Sequence, residues 1–393
     1  MSTTDRIYLD NAATSWPKPE PVYAAVEHYQ RNVGAAAGRG AYRAGQQADR
    51  VVAHARAACA ELLGVAASNR VVFTSNGTDA LNLAIHGVLR PGDHAIGTHC
   101  EHNSVLRPLE HARLKLGVEV DLAPINPAGG VAAGAIASRI RPETRLVCVT
   151  HGSNVTGAIQ PIAEIVAAVR KSAAPGALVL VDAAQTAGHL PIDFESLDAD
   201  LLATGGHKAL LGPLGTGLLC LSASAAEAIR PTRQGGAGAD STMRTQPTPL
   251  PQRLEAGNLN LPALAGLAAA ADWLLKGGST ESSENCIRQT RKLIDGLSGV
   301  GGVRPFGPGV QDNRLPVVAF SVEGYDPQEF AAALETVALV ECRAGLHCAP
   351  LVHRTLESDT TGGLVRLSPG WSTTDEQIDQ VIEAVDQLVA AFH

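Results

Sequence analysis

Residues 178–185 of the chain read Leu-Val-Leu-Val-Asp-Ala-Ala-Gln, an apolar run that ends in a carboxylate. An uninterrupted apolar run of this length predicts a strand that is buried on both faces, as in parallel sheets. Asp182 then lies at the carboxyl end of the strand, where open α/β sheets bind their ligands. Taken alone, Asp182 also fits a turn or capping residue.

The regions on both sides of this run repeat its pattern. Between residues 45 and 221, short apolar runs alternate with amphipathic helical segments, which is typical of βαβ units around a mostly parallel sheet. Helices are predicted at 46–63, 78–89, 105–116 and 162–171, and strands at 70–74, 94–97, 118–121, 146–150, 178–181 and 217–221. The pattern then changes to a smaller α+β unit, with helices at 262–275, 285–297 and 374–391 and strands near 317–322 and 337–342. We predict a large domain of residues 14–257 and a small domain of residues 1–13 and 258–393.

Composition excludes several classes of protein. The 393 residues carry 31 Lys and Arg against 39 Asp and Glu, a net charge of −8 that argues against a nucleic-acid partner. No apolar run approaches the roughly 20 residues that cross a bilayer, and the first ten residues lack the apolar core of a secretion signal. The seven scattered cysteines favour a reducing compartment over a disulfide framework. We therefore expect a globular cytoplasmic protein without a membrane partner.

The next apolar run also ends at a polar edge, and it carries a lysine: Leu201-Leu-Ala-Thr-Gly-Gly-His207-Lys208. An aspartate at one strand end and a lysine at a later one are what a pyridoxal phosphate (PLP) site requires. The lysine forms a Schiff base, and the carboxylate keeps the pyridine nitrogen protonated so that the ring accepts electrons. An isolated lysine at such a place also fits a solvated surface residue.

A third element could bind the phosphate. Phe73-Thr-Ser-Asn-Gly77-Thr78-Asp79 leads from a strand into a helix, and the free N–H groups at a helix start bind anions. Gly77 permits close approach of the backbone. Because other βα loops share this pattern, the turn supports the PLP hypothesis only in combination with Asp182 and Lys208.

Two more strand ends carry polar side chains. Glu101-His102-Asn103-Ser104 could place an imidazole over a cofactor ring, and Asn154 could donate an amide to cofactor or substrate, with a turn residue as the alternative. The run His99-Cys100-Glu101-His102 contains metal-ligating residue types. No second ligand cluster at structural spacing accompanies it, so we predict no metal site.

The second unit contains the segment Arg343-Ala-Gly-Leu-His347-Cys348-Ala-Pro350. The Gly before the cysteine and the Pro after it predict a loop that exposes the thiol, and nearby positive charge from Arg343 or His347 would favour the nucleophilic thiolate. The alternative is a small buried hydrophobe. Arg366 lies at a strand-like edge and could bind a substrate carboxylate in bidentate fashion, or form a structural salt bridge.

Together these residues make the sequence similar to the group II cysteine desulfurases and selenocysteine lyase-like enzymes of the class V, fold type I PLP-dependent aminotransferase superfamily. The likeness runs from Tyr8-Leu-Asp-Asn-Ala-Ala13 to the terminal helix. Its most specific stretches are Val181-Asp-Ala-Ala-Gln185, Gly206-His-Lys208, Gly212-Pro-Leu-Gly-Thr-Gly217, Ser153-Asn-Val-Thr-Gly157, Arg253-Leu-Glu-Ala-Gly257 and residues 343–350.

The resemblance implies a role for each site residue. PLP is held by Gly77, Thr78, His102, Asn154, Asp182, Gln185, His207 and Lys208. Lys208 carries the cofactor and moves the proton, His102 stacks on the ring, and Cys348 accepts sulfur as a persulfide. The substrate carboxylate is assigned to Asn154, Arg343 and Arg366.

The implied reaction converts L-cysteine to L-alanine and passes sulfur to an acceptor, for which a protein is one candidate, in sulfur metabolism and iron–sulfur cluster assembly. The resemblance also implies a homodimer. The alternatives are a selenocysteine or cysteine-sulfinate lyase, an aminotransferase or a kynureninase-like hydrolase, and, from another class, a non-catalytic nucleotide-binding α/β protein. Three positions depart from the family pattern: Gly205 replaces a common Ser, for which Thr204 is a candidate substitute donor, Asn258 replaces a common Thr that reaches the phosphate of a neighbouring subunit, and Tyr42 lies near a position often occupied by His.

Overall fold

The computed structural model describes residues 6–236 and 242–392. Its α-helices, in chain order, are α1 (Glu20–His28), α2 (Arg43–Leu62), α3 (Gly77–Val88), α4 (Asn103–Leu116), α5 (Ala133–Ala137), α6 (Ile162–Arg170), α7 (Ala223–Ala228), α8 (Leu261–Trp273), α9 (Ser279–Ser298), α10 (Pro327–Ala338), α11 (Pro350–Thr355) and α12 (Asp375–Phe392). The strands are β1 (Ile7–Tyr8), β2 (Val71–Thr74), β3 (His94–Thr98), β4 (Glu119–Ala123), β5 (Thr144–Thr150), β6 (Leu178–Asp182), β7 (Leu201–Gly205), β8 (Gly217–Leu221), β9 (Val303–Phe306), β10 (Val318–Val322), β11 (Val340–Glu341), β12 (Arg343–Gly345) and β13 (Leu364–Leu367).

The largest sheet within the described residues has the strand order β2-β8-β7-β6-β5-β3-β4. Strand β8 is antiparallel to both of its neighbours, and the pairs from β7 to β4 are parallel. This confirms the predicted α/β class with a mostly parallel sheet. Because the parallel strands end at one edge, Thr150 and Asp182 lie side by side, and Asp182 also pairs with Ala203.

Alternation along the central strands explains how the sheet is covered on both faces. In β6, Val179 and Val181 pack into one apolar cluster, whereas Leu178 and Leu180 pack into another. Residues of a strand point to opposite faces in turn, so the two clusters lie on opposite sides of the sheet. Each fully buried aliphatic side chain contributes about 1.5 to 3 kcal/mol. The apolar run therefore fixes both the sheet and the position of the carboxylate at its end.

A second, antiparallel sheet has the order β12-β13-β10-β9, and β1 pairs in parallel with β11. Helices α9, α10 and α12 pack beside it, whereas α8 packs against α1 and α2. The division of the chain at residue 257 stays a prediction.

The predicted strand at 337–342 is wrong at its start. Helix α10 continues to Ala338, and Leu339 then adopts a left-handed conformation with φ 54°, which ends the helix. The extended residues that follow are divided between β11 and β12.

The N-terminal segment, residues 7–18, connects the two sheets. Asn11 donates its side-chain amide to the carbonyl of Ser368 at 3.0 Å, next to the second sheet. On the other side, Ser15 Oγ donates to the carbonyl of Lys208 at 2.7 Å. No helix within residues 6–236 and 242–392 is long and apolar enough to cross a membrane.

Candidate active site

A cavity lies at the carboxyl edge of the large sheet. We call it the active-site cavity. Asp182, at the end of β6, and Lys208, after β7, both line it, so the structure brings together the two residues on which the PLP hypothesis depends. The remaining lining residues include Gly77, Thr78, His102, Asn154, Gln185, Gly205 and His207.

Burial sets the charge balance between these two side chains. Burial lowers the pKa of Lys208 to about 8, and the cations Arg366 and Arg343 lower it further while Asp182 opposes the change. Burial raises the pKa of Asp182, which is 6% exposed, and this is opposed by the N–H of Ala184 at 2.9 Å and by the charge of Lys208. A lysine with this pKa has a substantial neutral fraction near physiological pH, in which it can act as a nucleophile or base.

The start of α3 forms a cradle of backbone N–H groups. Asn76 caps the helix, and its Oδ1 accepts a hydrogen bond from the N–H of Asp79 at 2.8 Å. A Cβ on Gly77 would meet the nitrogen of Gly205 at 3.1 Å, so the two loops approach at backbone distance. Positive partial charge at a helix start and two adjacent glycines together suit a phosphate.

Thr204 places its hydroxyl next to backbone carbonyls. Its Oγ1 is buried and lies 3.4 Å from the carbonyls of Ala183 and Gly205. The expectation that Thr204 donates to the phosphate stays a prediction.

His102 caps α4 with its ring. Nδ1 accepts from the N–H of Ser104 at 3.0 Å and lies 2.8 Å from Ser104 Oγ, which in turn lies 2.8 Å from Thr78 Oγ1. Burial lowers the pKa of His102 to about 4, assisted by Lys208 and Arg343. The ring is therefore neutral at physiological pH and held in one orientation, as a stacking residue requires.

His207 and Gln185 complete the floor of the cavity. Burial lowers the pKa of His207 to about 4, and no described residue bonds to its buried Nδ1. Gln185 donates its Nε2 to the carbonyl of Ala12 at 3.0 Å, which leaves its carbonyl oxygen free of any hydrogen bond within the described part of the chain.

Cys348 lies in the turn after β12, as the loop prediction required, and its side chain is half-buried. Arg343 donates from Nη2 to Cys348 Sγ at 3.3 Å, which places a fixed positive charge at the sulfur. Both His347 and Cys348 adopt left-handed backbone conformations, with φ of 48° and 58°. Such conformations cost non-glycine residues about 1 to 2 kcal/mol each.

His347 does not supply positive charge to the thiol. It is 2% exposed, its ring stacks on His353 at 5.4 Å, and its pKa lies well below the ordinary value because of burial and the nearby Arg366. The expectation of a cationic His347 is wrong. Of Arg343 and His347, only Arg343 places positive charge next to the thiol.

Arg366 is fully buried in β13, which has neighbours on both sides and is not an edge strand. Its Nη2 lies 2.5 Å from Asp10 Oδ1, and its Nη1 donates to the carbonyl of Asn154 at 3.1 Å. The side-chain amide of Asn154 donates to the carbonyl of His347 at 2.7 Å. Arg366 therefore forms a salt bridge with Asp10 and keeps Nε without a partner among the described residues, and Asn154 connects the active-site cavity to the loop of Cys348.

Sequence patterns did not indicate three polar residues at this site. Glu101 is fully buried behind the strand ends and accepts hydrogen bonds from Thr98 and Thr150. Lys18 donates from Nζ to the carbonyl of His207 at 2.8 Å, and burial lowers its pKa to about 7. Asp10 is the third. Glu101 did have a signal in the sequence, since it belongs to the run at residues 99–102 that follows a strand, but the residue types of that run also fit a metal site.

The donor set fits PLP. A cradle of N–H groups suits the phosphate, a buried carboxylate suits a pyridinium, and a lysine with a lowered pKa suits an aldehyde. His207 adds a buried nitrogen without a partner that points to a missing polar group. Within the described ranges, no group of three His, Cys, Asp or Glu side chains is arranged to hold a metal ion.

Comparisons with known proteins point the same way. The sequence profile of the family described as aminotransferase class-V matches residues 7–381. A probable cysteine desulfurase of Methanothermobacter thermautotrophicus is 33% identical over 98% of this chain and 95% of its own length. A cysteine desulfurase of Yersinia pestis is 30% identical over 97% of this chain and 93% of its own length. The apo structure of a cysteine desulfurase from Thermococcus onnurineus superposes with a TM-score of 0.92 at 30% identity, covering 99% of this chain and 96% of the other.

Proposed function

Because the chain belongs to the class-V aminotransferase family, we propose that it is a PLP-dependent cysteine desulfurase that converts L-cysteine to L-alanine and captures the sulfur on Cys348. One observation carries the assignment of Cys348. Its Sγ is held at 3.3 Å from the Arg343 guanidinium, on a loop that Asn154 ties to the cavity of Lys208 and Asp182.

The cofactor would be held by the residues of the active-site cavity. The start of α3 at Gly77 and Thr78, together with His207, would bind the phosphate, and Gln185 would donate to or accept from the ring oxygen. Asp182 would keep the ring nitrogen protonated, and His102 would cover the ring. When bound, PLP supplies an electron sink for the electrons that remain when a Cα proton is removed.

Lys208 is suited to move that proton. Since its pKa is about 8, the amine exists in both protonation states near neutral pH and can accept a proton and return it. Its neighbours Asp182, Arg366 and Arg343 keep the pKa in this range by opposing effects.

Cys348 receives the sulfur. Its thiolate attacks Sγ of the bound cysteine, an S–S bond forms, and the Cβ–Sγ bond breaks with its electron pair remaining on Cβ. Protonation of that carbon gives the methyl group of alanine. Arg343 stabilises the thiolate by charge and by its hydrogen bond.

The substrate carboxylate would be bound between Asn154, Arg343 and Arg366. Arg366 keeps Nε without a partner among the described residues, and its guanidinium is rigidly held by Asp10 and by the carbonyl of Asn154. A buried, fixed guanidinium loses little entropy on binding a carboxylate.

The assembly and the cellular role are part of the same proposal. We infer a homodimer, and the position of Asn258 is compatible with one, since it is exposed on the wall of a large open cavity. The family resemblance places a residue at position 258 near a partner subunit. A cytoplasmic role in sulfur metabolism and iron–sulfur cluster assembly, with an acceptor for the sulfur, completes the proposal.

Replacement of the thiol tests this function. We expect Cys348→Ser to lose alanine and sulfide formation from L-cysteine by at least about a hundredfold, because a hydroxyl cannot form the persulfide. The cofactor absorbance should remain. Cys342→Ala is the matched control, since Cys342 is a half-buried thiol nearby whose pKa burial raises to about 12. Unchanged turnover in Cys348→Ser would remove Cys348 from the reaction and favour a lyase that releases sulfur directly.

A further inference from the structure

A second cavity, of about 530 Å³, lies between α3 and α4 and opens beside Cys348. We call it the outer cavity. It shares Thr78, His102 and Ser104 with the active-site cavity, so the two are contiguous. Cys348 also lines the outer cavity. A molecule in the outer cavity can therefore reach the sulfur of Cys348.

The charge on this wall has one sign. Among the described residues that line the outer cavity there is no carboxylate, and Arg107 supplies a guanidinium. Arg107 is exposed, and no hydrogen bond or ion pair to another described residue holds it. In contrast, Arg113 on the same helix forms an ion pair with Glu110 at 2.8 Å. Arg107 is therefore available to bind an anion.

The rest of the wall suits a small organic molecule. The rings of His86 and His111 pack edge to face, with centroids 5.3 Å apart and an interplanar angle of 79°. Burial and the neighbouring His111 lower the pKa of His86, so its ring is a neutral surface. The volume of the outer cavity lies within the range of pockets that bind small molecules.

From this geometry we propose that the outer cavity binds the sulfur acceptor, and that the acceptor is a small thiol with a carboxylate held by Arg107. This inference rests on the proposed function, because it requires a persulfide on Cys348. The acceptor thiolate attacks the outer sulfur of that persulfide, and a new S–S bond forms on the acceptor. The original S–S bond breaks, and its electron pair returns to Cys348 as a thiolate beside Arg343. The step needs no oxidant or reductant.

Two thiols of similar size test the proposal on the cofactor-loaded enzyme with L-cysteine as sulfur donor: thioglycolate, which has a carboxylate, and 2-mercaptoethanol, which does not. For the wild-type chain we expect the KM for thioglycolate to be lower than that for 2-mercaptoethanol. Arg107→Ala should raise the thioglycolate KM about twofold to fivefold, as expected for an exposed ion pair, and leave the 2-mercaptoethanol KM unchanged. Arg107→Lys should restore most of the difference, and Arg113→Ala is the control on the same helix.

The outcomes separate this inference from the proposed function. Persulfide formation is followed independently, as one alanine per active site in the absence of thiol and as the mass of one added sulfur on Cys348. If the wild-type chain forms alanine and the persulfide but Arg107→Ala affects both thiols equally or neither, the acceptor site is wrong and the desulfurase stands. Saturation by neither thiol would also overturn the acceptor proposal. If no persulfide forms, the proposed function fails, and the acceptor site fails with it.

Discussion

Removing the charge of Asp182 tests the electrostatic core of the site. Asp182→Asn keeps the shape of the side chain and the hydrogen bond from the N–H of Ala184. It removes the negative charge that most strongly raises the pKa of Lys208. An opposite charge close to a titrating group changes its pKa by about 1 to 3. The pKa of Lys208 should therefore fall from about 8 by at least about 1, a free-energy difference of roughly 1.4 kcal/mol or more.

The assay is the rate at which the apoprotein captures PLP, measured against pH by the absorbance of the bound cofactor. Capture requires the neutral amine, so its midpoint should follow the pKa of Lys208 and shift to lower pH in Asp182→Asn. Turnover of L-cysteine should fall about a hundredfold to a thousandfold, since a preorganised charge is lost at the ring. Asp200→Asn is the control: Asp200 is also buried, at the start of β7, but it pairs with Arg170. A midpoint that is unchanged or higher in Asp182→Asn would refute the reasoning.

Two further predictions concern stability against pH in the apoprotein. Burial lowers the pKa of Lys18 from its ordinary value of 10.5 to about 7, so the unfolded chain binds more protons between these values and stability rises with pH there. Lys18→Met should be more stable than the wild type by about 1 to 2 kcal/mol at pH 7, and the gain should shrink towards pH 10. Urea unfolding at several pH values measures this difference. Burial raises the pKa of Glu101 from 4.5 to about 7, so the folded chain binds more protons between these values and its free energy of unfolding falls as pH rises. The loss over this range is roughly 2 to 3 kcal/mol, and Glu101→Gln should remove it. A variant whose free energy of unfolding changes with pH as in the wild type would contradict the assignment.

The large sheet was predictable because its strands are buried on both faces and read as continuous apolar runs. The same runs located Asp182, and the next one located Lys208, since parallel strands end at a common edge. Pairing partners were not predictable in this way. The antiparallel position of β8, between β2 and β7, depends on packing between distant segments and leaves no local pattern.

The contacts that tune the site depend on long-range folding in the same manner. Asp10 reaches Arg366 across 356 positions of sequence, so neither residue predicts the other. The neutral state of His347 follows from its burial against His353 and Arg366, whereas the local sequence suggested an exposed cation. Residue type indicated what each group could do, and burial decided which protonation state it holds.

The N-terminal segment has a consequence for engineering this enzyme. Residues 7–18 join β11 and Ser368, beside the second sheet, to the backbone of Lys208, beside the large sheet. A circular permutation or a peptide insertion within this segment would break these contacts, and we expect it to loosen the Cys348 loop from the active-site cavity although the cut lies far from Cys348 in the sequence.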